Sequence, residues 1–440
     1  MRHEQLLAPS QARNRDVRRV ADSGEWLPPT HRIHSGLFVI VLIMTCYGLV
    51  MLFSASMSGS YIGTEDALTV IIKQAGITAI SLVAALFLAT AIPLKVFDHF
   101  WITFGLYILT SGLLVYVKLF GSVINGARRW ISIPVFGSFQ PSELAKVAMV
   151  FCLAGYISMI RRRRAKGGLR FRTPLRQFLA DGWLDILFPA ACFMIWIGLI
   201  LFQPHFSGAL IMCFIMLAIF LAAGIRPRAW ISAITQLIAI LLIVAVLFVA
   251  ALPLLKSSGL QEEIDENFEH VEERINTFLN PGEASSDDTY QIDQSVIAIG
   301  SGGLSGIGLG AGRQKYNYLP EAYNDFIFAI IGEELGLIGT MSVLLIFLLF
   351  MLIGVSITVK SANPFAAILA GGYTMLISIQ ALLNMAVATQ TVPATGISLP
   401  LFSYGGTSNM FFLIAIGFIL TVSKSGQRGG REMVSSGEIR

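Results

Sequence analysis

Two adjacent carboxylates, Asp287 and Asp288, lie in the polar stretch NPGEASSDDTYQIDQS, just ahead of a segment that reads as a short helix. Neighbouring carboxylates can supply a general base or hold a divalent cation. Asp288 or Thr289 can equally cap the helix that follows, and spacing alone favours the cap. Arg128 and Arg129, in NGARRWISIPVFGSFQPSELAK, form a pair suited to binding phosphate or carboxylate. Pro141 fits the first position of a helix, with Glu143 in its first turn. Glu143 and Lys146 are three apart, share a helix face and can pair, which is also a purely structural device. Glu333 and Glu334 stand within the apolar part of RQKYNYLPEAYNDFIFAIIGEELGLIG. Ionisable groups at membrane depth point to function, the alternative being an ion pair that orients helices. In TGISLPLFSYGGTSNM, around Ser403 and Tyr404, a Gly-rich turn either forms an anion-binding nest of backbone N–H groups or simply breaks the chain before a helix.

These groups need elements to hold them, and the composition says which kind. Of 440 residues, 55% are hydrophobic and only 13% charged, half the charge of a soluble globular chain, and the mean hydropathy is +0.71. Apolar runs long enough to span a bilayer occur near 36–56, 74–93, 101–121, 141–159, 184–203, 206–225, 231–254, 337–358, 364–388 and 407–423. The expected fold is an all-α integral membrane protein of about ten transmembrane helices. A polar tail, 1–35, precedes the membrane domain, 36–425, and a second tail, 426–440, follows it. Cys46, Cys152, Cys192 and Cys213 all fall in apolar runs and read as buried small hydrophobes, so neither a disulfide nor a zinc site is expected.

Lysine and arginine set the orientation. A large majority of the 31 fall in the N-terminal tail, at Lys95, between Arg161 and Arg176, at Arg226, Arg228 and Lys360, and at the C-terminal end. Both termini are therefore expected in the cytoplasm. The run Arg161–Arg164 reads as a topology anchor, and a nucleic-acid role is set aside. The segments 122–140, 256–336 and 389–406 then face outward. The long one begins with QEEIDENFEHVEERINTFLN, whose Ile264, Phe268, Val271, Ile275 and Phe278 make one stripe of a helix with an acidic opposite face. That helix rests on the bundle or docks a partner. GSGGLSGIGLGAG, Gly300–Gly312, contains a dinucleotide-like pattern, but no strand precedes it, so it suits close packing or a backbone curled over a ligand. Residues 325–336 read as a re-entrant or pocket-lining segment, with Gly332 and Gly336 marking the break before 337–358. The sum is an outward groove with basic groups, carboxylates and lipid on its flanks, which fits a lipid-phosphate-linked substrate.

Six stretches in register resemble the SEDS family (shape, elongation, division and sporulation) of bacteria: NGARRWI, QPSELAK, ERINTFLNP, YQIDQSVIAIGSGGLSGIGLG, QKYNYLPEAYNDFIFAIIGEELGLIG and LPLFSYGGTS. QKYNYLPEA is more similar to the division and sporulation members than to the elongation member. The resemblance implies a peptidoglycan glycosyltransferase of the bacterial inner membrane, acting at the septum. It would polymerise lipid II at the outer leaflet in one inverting step, beside a class B penicillin-binding protein and other divisome membrane proteins. It raises Asp288, then Asp287, as the base for the acceptor hydroxyl. It makes Arg128, Arg129, Glu143, Lys146, Gln294, Glu333, Ser403 and Tyr404 the substrate-binding candidates, with Arg128, Arg129, Lys146 or a bound Mg or Mn ion facing the leaving pyrophosphate.

Two positions depart from the family pattern. Ala284, beside Glu283, stands where many members carry the proposed catalytic Asp, and His205 stands where an Asp is common. Two other functions use the same features: a flippase for lipid II, which needs no outer base, and a non-catalytic scaffold that activates the transpeptidase.

Overall fold

The computed structural model describes residues 33–62, 67–124, 127–133, 137–203, 205–255, 286–393 and 396–425. The 261–280 stripe, Glu283, Ala284, most of the N-terminal tail and the C-terminal tail lie outside the described residues.

The helices are α1 (Ser35–Ile62), α2 (Ala67–Ala91), α3 (Phe100–Phe120), α4 (Pro141–Ala165), α5 (Pro174–Leu201), α6 (Phe206–Ala222), α7 (Pro227–Leu255), α8 (Ser286–Ser301), α9 (Ile327–Lys360), α10 (Pro364–Ala388) and α11 (Gly406–Lys424). Eight of them, α1 to α5 and α9 to α11, are long and apolar enough to cross a membrane. The remaining two expected spans correspond to shorter apolar helices, Phe206–Ala222 and the apolar part of α7, Pro227–Ile243.

Burial separates a central group from a rim. Within their apolar windows α4 is 83% buried, α11 78% and α10 72%, against 17% for α3. α4 lies between α3 on one side and α10 and α6 on the other, and α11 packs along α2. A side chain at Gly417 would meet Ala85 Cα at 2.9 Å, so that last contact depends on a small residue, as membrane helix interfaces commonly do. α10 is started by Asn363, whose Oδ1 accepts from Phe365 N at 2.9 Å, with Pro364 at the first helical position.

The segment 122–140, expected as a loop, contains a three-stranded antiparallel sheet: β1 (Ser122–Ile124), β2 (Ala127–Ile133) and β3 (Gly137–Phe139). It is the departure from an all-helical chain among the described residues. Strands this short carry too few alternating residues to register as a period.

Gly336 breaks α9. Its φ of 66° and ψ of −158° are non-helical, so α9 is two helices, one ending near Leu335 and one starting at Leu337. The break falls where it was expected. Gly332 lies inside the first piece instead, against Ile299 of α8.

Candidate functional site

A broken helix leaves carbonyls and N–H groups without partners, and at membrane depth each must find one. The glycine-rich loop after α8 supplies them. Ile307 N donates to Glu333 O at 3.1 Å and Gly308 N to Glu334 O at 3.0 Å; beyond the break, Leu337 N donates to Gly303 O at 2.9 Å. The loop then turns back onto the two carboxylates. Glu333 accepts from the N–H groups of Arg313 at 2.8 Å and Gln314 at 3.3 Å. Glu334 accepts from Gly310 N, Gly312 N and the Ser54 hydroxyl, and pairs with Lys315 Nζ at 2.7 Å. Lys315 and Glu334 are both fully buried. A buried pair holds only when its remaining hydrogen-bonding capacity is also met, and here backbone and Ser54 meet it. Both glutamates are therefore engaged by the chain itself, in the arrangement expected of groups that orient elements.

A second constellation lies where the start of α4, the end of α10, and residues 321–326 and 396–405 converge. Lys146 Nζ is 2.8 Å from Glu143 Oε1 and 2.8 Å from Gln380 Oε1. Gln380 Nε2 donates to Ser398 O, and Asn384 Nδ2 donates to Asp325 O at 2.7 Å and Ile397 O at 2.6 Å. Two amides on one face of α10 thus tie both loops to α10, and Gln380 joins α10 to α4 through Lys146. Glu143 Oε2 is buried and has no hydrogen-bond partner among the described residues, which is costly and marks a place where a polar group is wanted.

Asp325 stands at the mouth of this cluster, partly accessible, with no side-chain hydrogen bond among the described residues. Burial around it pushes its carboxyl up to about 7, and the carboxylates of Glu321 and Glu143 add to the shift. A Cβ on Gly396 would lie 3.4 Å from Asp325 Oδ2, so the glycine brings backbone up to the carboxylate. Tyr404 N donates to Tyr323 O at 2.9 Å, and the two rings meet edge to face.

The sequence-predicted residues separate as follows. Glu143 and Lys146 form the expected pair at the heart of the constellation. Arg129 Nε donates to Gln203 O at 3.0 Å, and the exposed Arg128 donates to Leu119 O at 3.1 Å, fastening the sheet to the ends of α5 and α3. Ser403 is 1% exposed, and its hydroxyl accepts from Leu399 N at 2.7 Å, closing the loop that presents Tyr404. Gln294 is half-buried on α8, which is tied to α10 by Ser295 Oγ donating to Ala388 O. Asp287 and Asp288 lie in the first turn of α8, because the helix starts at Ser286. This corrects the capping reading: Asp288 and Thr289 are past the cap position, where carboxylates still favour the helix N-terminus through its dipole. Their side chains lie outside the described set. His205 is buried, 3.5 Å from Gln140 Nε2 and over Gly208. Among the described residues, no group of three or more His, Cys, Asp and Glu is arranged to hold a metal ion.

Asp325, Glu321, Gln380 and Asn384 were not singled out from the sequence. For Asp325 a signal existed: it is the last carboxylate before the apolar run that begins at Phe326.

The chain matches, over residues 34–428, the family described as "Cell cycle protein", FTSW_RODA_SPOVE. It is 34% identical to the probable peptidoglycan glycosyltransferase FtsW of Geobacter metallireducens, covering 88% of this chain and 93% of that protein. It is 34% identical to stage V sporulation protein E of Bacillus subtilis, covering 88% and 96%. Among solved structures it is similar to a chain of a peptidoglycan synthase complex studied for coordination of polymerization and crosslinking, with a TM-score of 0.62, 25% identity and coverage of 89% and 97%. The rod shape determining protein RodA of Thermus thermophilus shares the fold at a TM-score of 0.58 and 23% identity. With nearly the whole membrane domain matched in both sequence and fold, this chain belongs to the FtsW, RodA and SpoVE family of cell cycle proteins.

Proposed function

We propose that this chain is a peptidoglycan glycosyltransferase that extends glycan strands from lipid II at the outer face of the membrane, in the septal setting of its FtsW-named relatives. The observation that carries the reading is the constellation of Glu143, Lys146, Gln380 and Asp325, with a buried Glu143 oxygen that has no partner among the described residues and a nearby carboxyl pushed up to about 7 by burial. A sugar hydroxyl attacks poorly until a base takes its proton, and a positioned base contributes about 10²–10⁴-fold. A carboxyl with its pKa near the working pH is suited to that exchange. The departing pyrophosphate needs positive charge; Lys146 and the two arginines of the sheet are cations on this face. The base is Asp288, with Asp287 second, and Asp325 is a third candidate. A class B penicillin-binding protein as partner is supported by the similarity to a chain of a peptidoglycan synthase complex.

The test is lipid II polymerisation by the purified full chain with its cognate class B penicillin-binding protein, the transpeptidase blocked. Wild type, Asp287→Ala, Asp288→Ala and Asp325→Asn are compared on glycan-strand gels. The reading expects polymer from wild type and a loss of about 10²-fold or more in the variant lacking the base. Full activity in all three variants would assign the base to another group, and no polymer from wild type with its partner would instead favour a scaffold or a flippase.

A further inference from the structure

The four arginines Arg161–Arg164 at the end of α4 do more than mark a membrane side. Arg161 donates to Ala223 O, and Arg164 pairs with Asp181 at 3.0 Å and Asp185 at 2.6 Å. Those two are consumed in fastening α4 to α5 and to the end of α6. Arg162 and Arg163, with Lys166 and His99, instead line a cavity of about 330 Å³ between the start of α3 and the end of α4. The only carboxylate in its lining is Asp98, which is held by Arg162. Even so, Arg162 Nε is buried without a hydrogen-bond partner among the described residues. The side chains of Arg163 and Lys166 are exposed and have no partner among the described residues. Three fixed cations against one carboxylate leave a local excess of positive charge in a partly enclosed space.

The rest of the cavity is mostly apolar, with Phe100 and Met159 in its wall beside Thr103 and Tyr156. From that wall outward Phe100, Trp101 and Phe104 stand 53%, 75% and 46% exposed on α3, with Phe100 stacked on Phe104 and edge to face with Trp101. Tryptophan and its aromatic neighbours collect at the headgroup level of a bilayer. The volume is at the lower end of the range for small-ligand sites, about 300–1,000 Å³, enough for a headgroup and not for a whole lipid.

We propose that this cavity is a binding site for an anionic phospholipid of the inner leaflet, its phosphodiester held by Arg162, Arg163 and Lys166 and its acyl chains lying along Phe100, Trp101 and Phe104. Basic pockets between helices on the cytoplasmic side take such headgroups. A phosphodiester presents two charged oxygens that a guanidinium fork can hold bidentately. The site lies on the face opposite the Glu143–Lys146 cluster, at the other end of α4, so occupancy there braces the central helix without touching the groups that face the substrate.

The experiment is native mass spectrometry of the full chain in detergent, titrated with dioleoylphosphatidylglycerol, with dioleoylphosphatidylcholine, and with phosphatidylglycerol in the presence of millimolar sodium phosphate. Wild type is compared with R163Q/K166Q and with R170Q/R172Q, which removes equal charge from the same segment outside the cavity. The expected result is one phosphatidylglycerol site, weakened at least about tenfold in R163Q/K166Q, retained in R170Q/R172Q and not displaced by phosphate. Equal weakening in both variants, equal binding of phosphatidylcholine, or displacement by millimolar phosphate would overturn it; the last outcome assigns the site to a free anion. If R163Q/K166Q melts earlier than wild type, Lys166→Gln alone carries the comparison, because Lys166 makes no side-chain contact that the fold requires.

Discussion

Asp325 shows what one residue's surroundings can add to its chemistry. Its ordinary pKa of 3.8 is raised to about 7, by burial first and by the Glu321 and Glu143 carboxylates after it. The folded chain therefore prefers the protonated form, and that share of stability is lost as pH rises from about 4 towards 7. A base must be ionised to act, so catalysis that depends on Asp325 rises over the upper part of the same window. Polymerisation rate measured against pH should show an acidic limb centred near 7. Glu321→Gln removes one like charge while keeping an oxygen for Asn324, its present donor, so the limb should move to lower pH. A limb that stays in place in Glu321→Gln, and persists in Asp325→Asn, would assign the titration to another group. None of this was legible in the sequence, because Glu143 and Asp325 are remote from each other along the chain. Glu143 and Lys146 were legible, because three residues on a helix bring side chains together whatever the fold does around them.

At the scale of elements, the spans could be read because an apolar run of bilayer length has few alternatives. The small sheet could not, and neither could the use of the glycine-rich stretch. Its glycines suggested close packing or a loop over a ligand; what they pack against is the broken backbone at Gly336. That break concentrates the cost of the motif in one residue. A side chain at Gly336 would need a φ of 66° and would place its Cβ 2.7 Å from Leu304 carbonyl carbon and oxygen, where neither the backbone nor its neighbour can give way. Gly303 has a similar positive φ of 55° but open space around its Cβ position. Strain in sparsely populated backbone regions costs about 1–3 kcal/mol, and Gly336→Ala adds a backbone clash to it. Gly336→Ala should lose folded protein, read as a large fall in melting temperature and in membrane yield, whereas Gly303→Asn should remain within about 1 kcal/mol of wild type. Equal losses in the two variants would mean that backbone angle alone, and not loop packing on the break, sets the cost.

Over the whole molecule, contacts between chain ends define two faces. His34 N donates to Ser423 Oγ, Lys424 Nζ to Thr90 O, Arg162 to Asp98, and Arg161 to Ala223 O. The starts of α1 and α3 and the ends of α2, α4, α6 and α11 therefore share one face, and the described ends of the chain meet there. The loop around Gly308, the sheet and Asp325 belong to the other. Geometry alone does not say which face meets the cytoplasm; the distribution of lysine and arginine bears on it, since the arginine run and most basic residues among the described ones lie on the first face. Geometry groups the Glu143–Lys146–Asp325 cluster on the second face, and the basic-residue rule makes that face the expected outer one, where a lipid-linked glycan substrate would meet it. Single cysteines test this in a chain whose Cys46, Cys152, Cys192 and Cys213 are replaced by Ser or Ala. Leu309 is 56% exposed in the glycine-rich loop, and Arg170 is exposed beyond α4. A membrane-impermeant maleimide applied to intact cells with a permeabilised outer layer should label Leu309→Cys and leave Arg170→Cys unlabelled until the inner membrane is opened. The reverse pattern would put the arginine run outside, remove the anionic inner leaflet from the cavity at His99 and Lys166, and leave the carboxylate cluster on a side where a glycan strand has no use for it.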